Sequence, residues 1–240
     1  MVWSPQLRFL SPATRESLNS LRQRVRARFV GPPYSTVLPY TMVGLDRLRK
    51  LRELIRHLDE EGVAGDIVEC GTYNGGSGAL LAHAASQGTT SRHTWLLDSF
   101  QGMPTPSRND GESAKSWTGT CRGSAESVRE VLAKLEVPAN RVTIVPGWFS
   151  DTLSTIEPHG IALLHIDADW YESVLEVLEE LFEQIVPGGF VVLDDYGYWQ
   201  GCKLAWTEFC RTRNLSLQLI PTDDTGAYAR VPFDQPTAST

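Results

Sequence analysis

The sequence predicts an α/β fold on a largely parallel sheet, with helices on both faces, and two stretches carry that prediction. From Ile161 to Tyr196 the chain reads as strand, helix, strand. The apolar run Ile161-Ala-Leu-Leu-His-Ile166 ends in Asp167 and Asp169, and Gly188-Gly-Phe-Val-Val-Leu193 ends in Asp194 and Asp195. Between them, from Glu172 to Ile185, Val174, Leu175, Leu178, Leu181, Phe182 and Ile185 recur at helical spacing, and Pro187-Gly-Gly189 is expected to stop that helix. Such a crossover pairs two parallel strands side by side. The second stretch is the short strand Asp66-Ile-Val-Glu-Cys70, followed at once by Gly71-Thr-Tyr-Asn-Gly-Gly-Ser-Gly78 and a helix over Ala79–Ser86. Strand, glycine-rich turn and helix open the doubly wound, nucleotide-binding folds.

Ligands of open parallel sheets bind beyond the carboxyl ends of the strands, and both acidic pairs sit at that edge. Carboxylates that converge repel one another unless a hard cation is present, and oxygen donors suit Mg²⁺. The plainer alternative is that acids at strand ends cap helices or face water. Gly71–Gly78 does not spell G-x-G-x-x-G, so the pyrophosphate loop of a nicotinamide-dependent oxidoreductase is absent. With Glu69 at the strand end, the turn suits a cationic, phosphate-free nucleoside such as S-adenosylmethionine.

The next strand, His93–Leu97, ends in Asp98, where a ribose diol would be held by one carboxylate. Gln101–Arg122 is long, polar and aperiodic, with Lys115 and Trp117 isolated in it; it is a lid or a disordered loop, and its place after the strand favours a lid. Ser124 caps a helix that runs to Leu135. Val142–Val145 is a third strand, left through Pro146-Gly-Trp-Phe149, whose Trp148 and Phe149 pack against an adenine or into the core. Asp151 is expected to cap a short helix.

Upstream, Leu18, Leu21, Val25 and Phe29 form one helical stripe beside Arg15, Arg22, Arg24, Arg26 and Arg28, a solvated basic face or a contact with a partner subunit or acidic substrate. Leu45, Leu48, Leu51, Leu54, Ile55 and Leu58 make a stronger amphipathic helix. Downstream, Gly201–Arg213 is a helix with Cys202, Ala205, Trp206, Phe209 and Cys210 inward. Leu215–Ile220 and Ala227–Val231 are late strands, and the tail from Pro232 is expected to fray.

A chain of 240 residues suits one large domain. Its net charge of −7 is uneven: residues 1–60 hold 11 of the 22 Lys and Arg against five acids. The acidic remainder argues against nucleic acid as a partner. Cys70, Cys121, Cys202 and Cys210 form no CxxC pair and read as free thiols of a reducing compartment, with Cys70 and Cys210 in the core. The opening Met-Val-Trp-Ser-Pro is no signal peptide, and no apolar run is long enough to span a membrane. A cytoplasmic location, with no membrane partner, is expected.

Five segments then occur in a telling order: Glu69-Cys-Gly71 with Gly75-Gly-Ser77, Asp98-Ser-Phe-Gln-Gly-Met-Pro104, Gly147-Trp-Phe-Ser-Asp-Thr-Leu153, His165-Ile-Asp-Ala-Asp-Trp-Tyr171, and Asp194-Asp-Tyr-Gly-Tyr-Trp-Gln-Gly-Cys202. Together they resemble the macrocin O-methyltransferase family, which includes the mycinamicin and novobiocin sugar methyltransferases. The resemblance runs from about Pro39 to Val231. It implies a class I methyltransferase (Rossmann-like) fold, a seven-stranded, mostly parallel sheet whose last strand is antiparallel. Residues 1–60 would be a helical extension packed on a methyltransferase core of residues 61–240. It also implies S-adenosylmethionine as methyl donor, Mg²⁺, and as acceptor a deoxysugar hydroxyl of a glycosylated antibiotic. The family's metal ligands fall on Asp167, Asp194 and Asp195. Its cofactor contacts fall on Thr41, Met42, Glu69, Cys70, Gly71, Gly75, Ser77, Asp98, Ser99, Gly147, Trp148, Phe149 and Asp167. Trp170 stands where the family more often has an aliphatic residue.

A sugar hydroxyl needs help to lose its proton, and Asp167 is assigned as general base, with Asp169 second and His165 third. His165, on a buried strand, reads more simply as structural. The rivals are a metal-dependent methyltransferase of a catechol-like phenol and a non-catalytic S-adenosylmethionine-binding protein, which would not need the three aspartates together. The basic N-terminal segment points to a homo-oligomer, a dimer or higher.

Overall fold

Five parallel strands and two late ones form a sheet in the order β3-β2-β1-β4-β5-β7-β6. They are β1 (Asp66–Cys70), β2 (Thr94–Asp98), β3 (Val142–Pro146), β4 (Ile161–Ile166), β5 (Ile185–Leu193), β6 (Ile220–Pro221) and β7 (Ala227–Arg230). Strands β1 to β5 pair in parallel; β7 runs antiparallel to both β5 and β6. The computed structural model describes residues 10–233. The opening five residues and most of the tail expected to fray lie outside the described residues.

Every residue of β1 and β4 is buried, which is what near-continuous apolar runs predict for strands covered on both faces. Among the described residues there are eight α-helices, α1 (Pro12–Ala27), α2 (Tyr34–Val37), α3 (Leu45–Glu60), α4 (Gly76–Gln87), α5 (Ala125–Lys134), α6 (Phe149–Thr152), α7 (Tyr171–Leu181) and α8 (Gln200–Thr212). Residues of β5 alternate between the layers. Phe190 and Val192 join Leu51, Leu54, Ile55 and Leu58 of α3, while Val191 and Leu193 join Val174 and Leu178 of α7 and Phe209 of α8. Each such side chain contributes about 1.5–3 kcal/mol by leaving water. Ser124 caps α5 as expected, accepting from the Ser127 N–H at 3.1 Å.

The pairing register puts the strand ends in line. Glu69 lies opposite His165, which lies opposite Val192, and one residue on Cys70, Ile166 and Leu193 are partners. The order of strands reverses direction between β1 and β4, which makes their carboxyl ends the switch point of the sheet.

Several local expectations are corrected. Helix α7 ends at Leu181, a 3-10 turn fills Phe182–Gln184, and β5 already begins at Ile185. Pro187-Gly188-Gly189 therefore lies inside the strand, at an irregularity in its pairing with β4. A bulge tolerates proline, and a Cβ on Gly189 would come within 2.9 Å of the Val186 carbonyl. Only Ile220 of the expected strand Leu215–Ile220 pairs; Leu215, Leu217 and Leu219 pack on the core without a ladder. Asp151 sits within α6, whose N-cap is Trp148. Cys70 and Cys202 are buried, whereas Cys210 is half-buried.

Most of the stripe beside the basic face falls on α1. Leu21, Val25 and Phe29 face outward, at 59%, 46% and 83% exposure, and the buried residues of the helix are Asn19 and Gln23.

Candidate active site

The ladder of hydrogen bonds runs one residue past the strands and aligns their tips. The N–H groups of Gly71, Asp167 and Asp194 donate to Leu97, Cys70 and Ile166 carbonyls at 2.9 Å each, and Gly147 N–H donates to Asp98 at 3.0 Å. Gly71 has a φ of 96°, and a Cβ there would sit 1.8 Å from the Asp167 carbonyl oxygen. Only glycine lets β1 turn away so close to β4. Above this row opens a cavity of about 430 Å³.

Four carboxylates end the row. Oxygen atoms of Asp167, Asp194 and Asp195 lie within 4.8 Å of one another. Burial, then the charges of Asp194 and Asp195, push the Asp167 carboxyl well above the usual range. Burial and the neighbouring Asp194 charge raise Asp195 to about 6. Asp194 goes the other way: burial works to raise it, but Arg47 and His165 outweigh burial and hold it low. Asp169 stands beside the cluster, raised well up by burial and by Asp195, and it accepts from the Trp199 indole N–H at 2.7 Å. Its backbone is left-handed, with φ 56°, an uncommon state for a side-chain-bearing residue and one met at functional turns.

Two buried cations support Asp194. Arg47, from α3, bonds its carboxylate, its carbonyl oxygen at 2.7 Å, Asp223 Oδ1 at 2.7 Å and the Thr225 hydroxyl. His165 lies between Glu69 Oε1, 3.0 Å from Nδ1, and Asp194 Oδ1, 3.3 Å from Nε2. Burial opposes its protonation, but these two carboxylates raise it to about 9. Its full burial in the sheet, away from the cavity lining, matches the structural reading of this histidine.

The donor set fits Mg²⁺. Three carboxylates converge, and although Asp194 already meets Arg47 and His165, Asp195 Oδ2 is buried with no hydrogen-bond partner.

On the β2 side, Asp98 accepts from the N–H groups of Tyr73 and Phe100 at 2.7 Å each, which fixes its carboxylate at the cavity wall. Gln101–Arg122 is folded over the cavity: Gly102, Met103, Trp117 and Cys121 line it, and Met103, Ala114 and Trp117 are buried. Trp170 is buried outside the cavity and donates its N–H to the Pro104 carbonyl at 2.9 Å, so it anchors this segment.

Of the residues singled out in the sequence, Thr41, Met42, Gly71, Ser77, Asp98, Ser99, Gly147, Trp148, Phe149, Asp167, Asp169, Asp194 and Asp195 all line this one cavity. Glu69, Cys70 and Gly75 do not. Glu69 lies beneath, bonded to His165; Cys70 is in the core; Gly75 is the left-handed N-cap of α4, packed on Val128. Sequence reasoning missed Arg47, Tyr73, Tyr198, Trp199 and Asp223 on the cavity wall. Arg47 had a signal: it falls on the apolar stripe of α3, four residues before Leu51, where an arginine needs a buried acid.

Among the described residues, no helix is long and apolar enough to cross a membrane. A profile of the Macrocin-O-methyltransferase (TylF) family matches residues 6–231. The 8-demethyl-8-(2,3-dimethoxy-alpha-L-rhamnosyl)-tetracenomycin-C 4'-O-methyltransferase of Streptomyces olivaceus is 32% identical over 209 residues, covering 85% of this chain and 79% of that protein. Demethyldecarbamoylnovobiocin O-methyltransferase of Streptomyces niveus is 31% identical over 231 residues, covering 90% of this chain and 86% of that one. The solved structure of the O-methyltransferase NovP superposes with a TM-score of 0.73 at 30% identity, over 80% of this chain and 82% of that chain. With the seven-stranded sheet and the cavity at its switch point, these matches establish that the chain belongs to the macrocin O-methyltransferase (TylF) family of S-adenosylmethionine-dependent O-methyltransferases.

Proposed function

We propose that the chain methylates a sugar hydroxyl of a glycosylated natural product, in antibiotic biosynthesis, with Mg²⁺ as a required ion. The observation that carries the reading is the convergence of Asp167, Asp194 and Asp195 beside Asp169 in one cavity. The relatives' names support the acceptor class, since one acts on a rhamnosyl-tetracenomycin and another on a novobiocin precursor.

S-adenosylmethionine supplies the methyl group on a sulfonium centre, and Mg²⁺ held by Asp167, Asp194 and Asp195 would supply a Lewis acid that eases ionisation of a hydroxyl. The protein's own part is to place and deprotonate the acceptor. Asp98, held by two N–H groups, presents its carboxylate to a ribose. Trp148 is 37% exposed at the wall and offers a face for the adenine, while Phe149 also packs on the core. Asp169 is the better general base than Asp167. It stands outside the three-ligand cluster on the cavity wall, and Trp199 aims it. The folded Gln101–Arg122 segment excludes water from the reaction.

The four free thiols fit a reducing, cytoplasmic setting. We also assign a homo-oligomer of two or more copies, supported by the exposed Leu21 and Val25 on α1 and Phe29 just after it, and checked by light scattering on the purified protein.

The test is methyl transfer to a panel of glycosides and catechols, with Mg²⁺ and with a chelator. Mg²⁺-dependent methylation of a sugar hydroxyl supports the reading. Methylation of the catechols alone overturns it in favour of a phenol acceptor. S-adenosylmethionine binding with no transfer to any acceptor would favour a non-catalytic role.

A further inference from the structure

The buried face of α1 is polar, and its hydrogen bonds reach segments that line or adjoin the cavity. Glu16, Asn19 and Gln23 fall at i, i+3 and i+7, one stripe of the helix. The Gln23 amide donates to the Val43 carbonyl at 2.7 Å, and the Asn19 amide reaches the Met42 carbonyl at 3.4 Å. Both hold the Thr41–Val43 segment, whose Thr41 and Met42 line the cavity. Glu16 spans the other side: its Oε1 accepts from the Tyr73 hydroxyl at 3.0 Å, and its Oε2 from the Cys121 N–H at 3.2 Å.

These two partners are the strained points of two different segments. Tyr73, φ 52°, lies in the turn after β1 and donates its own N–H to Asp98; Cys121, φ 52°, ends the segment folded over the cavity. The segments also touch directly, because a Cβ on Gly123 would sit 2.1 Å from the Tyr73 carbonyl oxygen. One carboxylate therefore ties the turn that carries Asp98's donor to the last residues of the lid, with α1 as the brace. Helix α1 also meets the lid through Arg15, whose guanidinium lies 5.9 Å from the Trp117 ring centroid, and packs Ala27 on the core.

We propose that Glu16 is a positioning residue for S-adenosylmethionine: it holds the Tyr73 turn and the end of the lid together at the cofactor side of the cavity. It touches neither the acceptor nor the four strand-tip aspartates, so its effect is on cofactor affinity. The proposal uses the family's cofactor and does not depend on which acceptor is methylated.

The experiment is calorimetric titration of S-adenosylmethionine into the full-length protein and three variants, Glu16→Ala, Glu16→Gln and Tyr73→Phe, plus the Glu16→Ala/Tyr73→Phe double variant. Glu16→Ala is expected to weaken binding about tenfold, the loss of a half-buried, charge-assisted pair of hydrogen bonds. Glu16→Gln, which keeps an acceptor and the shape, should recover most of that. The double variant should bind no more weakly than Glu16→Ala alone, because Tyr73 acts through Glu16. Trypsin cleavage within residues 101–122 should speed up in Glu16→Ala and not in Glu16→Gln. Wild-type affinity in Glu16→Ala, or additive losses in the double variant, overturns the proposal. So does a Glu16→Gln as weak as Glu16→Ala. A wild-type protein that fails to bind the cofactor would instead overturn the methyltransferase reading itself.

Discussion

The indole N–H of Trp199 donates to Asp169 Oδ1 at 2.7 Å, across from a left-handed backbone that lifts Asp169 out of line with Asp167. Trp199 is itself wedged edge-on between Trp170, with centroids 4.8 Å apart, and Trp117, 5.9 Å apart. A rigid aromatic stack thus aims one carboxylate oxygen of Asp169. If Asp169 takes the sugar proton, Asp169→Asn should lower kcat about 10²–10⁴-fold while leaving S-adenosylmethionine affinity within twofold. Trp199→Phe, which keeps the stack and loses the N–H, should lower kcat about tenfold with KM little changed. Steady-state kinetics with calorimetric cofactor binding check both. A kcat unchanged in Asp169→Asn would return the base role to Asp167.

The three remaining aspartates separate metal binding from catalysis. Asp195 has a buried oxygen without a partner, whereas both oxygens of Asp194 already meet Arg47 and His165. Asp195→Asn should therefore abolish saturable Mg²⁺ binding by calorimetry with little loss of fold. Asp194→Ala should also lower the melting temperature, because it strands two buried cations. Equal Mg²⁺ affinity in wild type and Asp195→Asn would remove the metal from this site.

Much of this site was legible in the sequence because strand chemistry is local. Apolar runs ending in acids place Asp98, Asp167 and Asp194 at one edge wherever the strands are parallel, and thirteen of the residues singled out do share the cavity. What the sequence hid was lateral. Glu69 reads as a strand-tip ligand, but strand alternation turns it under the sheet to His165. The stripe on α1 is legible as a helical face but its orientation is not: hydrogen bonds from Asn19 and Gln23 hold the helix and leave Leu21 and Val25 outside. Periodicity finds an apolar face and says nothing of which face meets the protein. Trp199, Tyr198 and Asp223 reach the cavity through loops after β5 and β6, where no repeating pattern exists to read.

Gly71 tests the close approach of β1 and β4. A Cβ at this position would lie 1.8 Å from the Asp167 carbonyl oxygen, at φ 96°. Gly71→Ala should cost ~3 kcal/mol or more, from the overlap and the left-handed backbone together. At this chain length that is a fall of roughly 6–12 °C in melting temperature. Gly62→Ala is the control. It has φ 68° with nothing within 4 Å of the added Cβ, so only the backbone cost of about 1 kcal/mol applies. Similar losses in the two variants would mean that β1 can shift away from Asp167.

Asp223 gives the fold a defined acid sensitivity. Its carboxylate accepts from Arg47 Nη2 at 2.7 Å and Nε at 3.1 Å, and from the Thr225 and Gly226 N–H groups at 2.9 Å each. Burial works against the charge, but Arg47 and these N–H groups outweigh it and bring the group down from an ordinary 3.8 to about 2. A depressed value means that the folded state holds the proton less tightly than the unfolded one. The stabilisation is therefore complete above pH 3.8 and is lost as pH falls through about 2. Discounted for its partial exposure, it is about 1–2 kcal/mol. Asp223→Asn should be less stable than wild type by that amount at pH 7 and pH 5 in urea unfolding followed by tryptophan fluorescence. The gap should narrow steadily below pH 4 and close near pH 2. A gap that stays constant into acid would show that the cost comes from lost hydrogen-bond geometry around Arg47, with the charge of Asp223 contributing nothing.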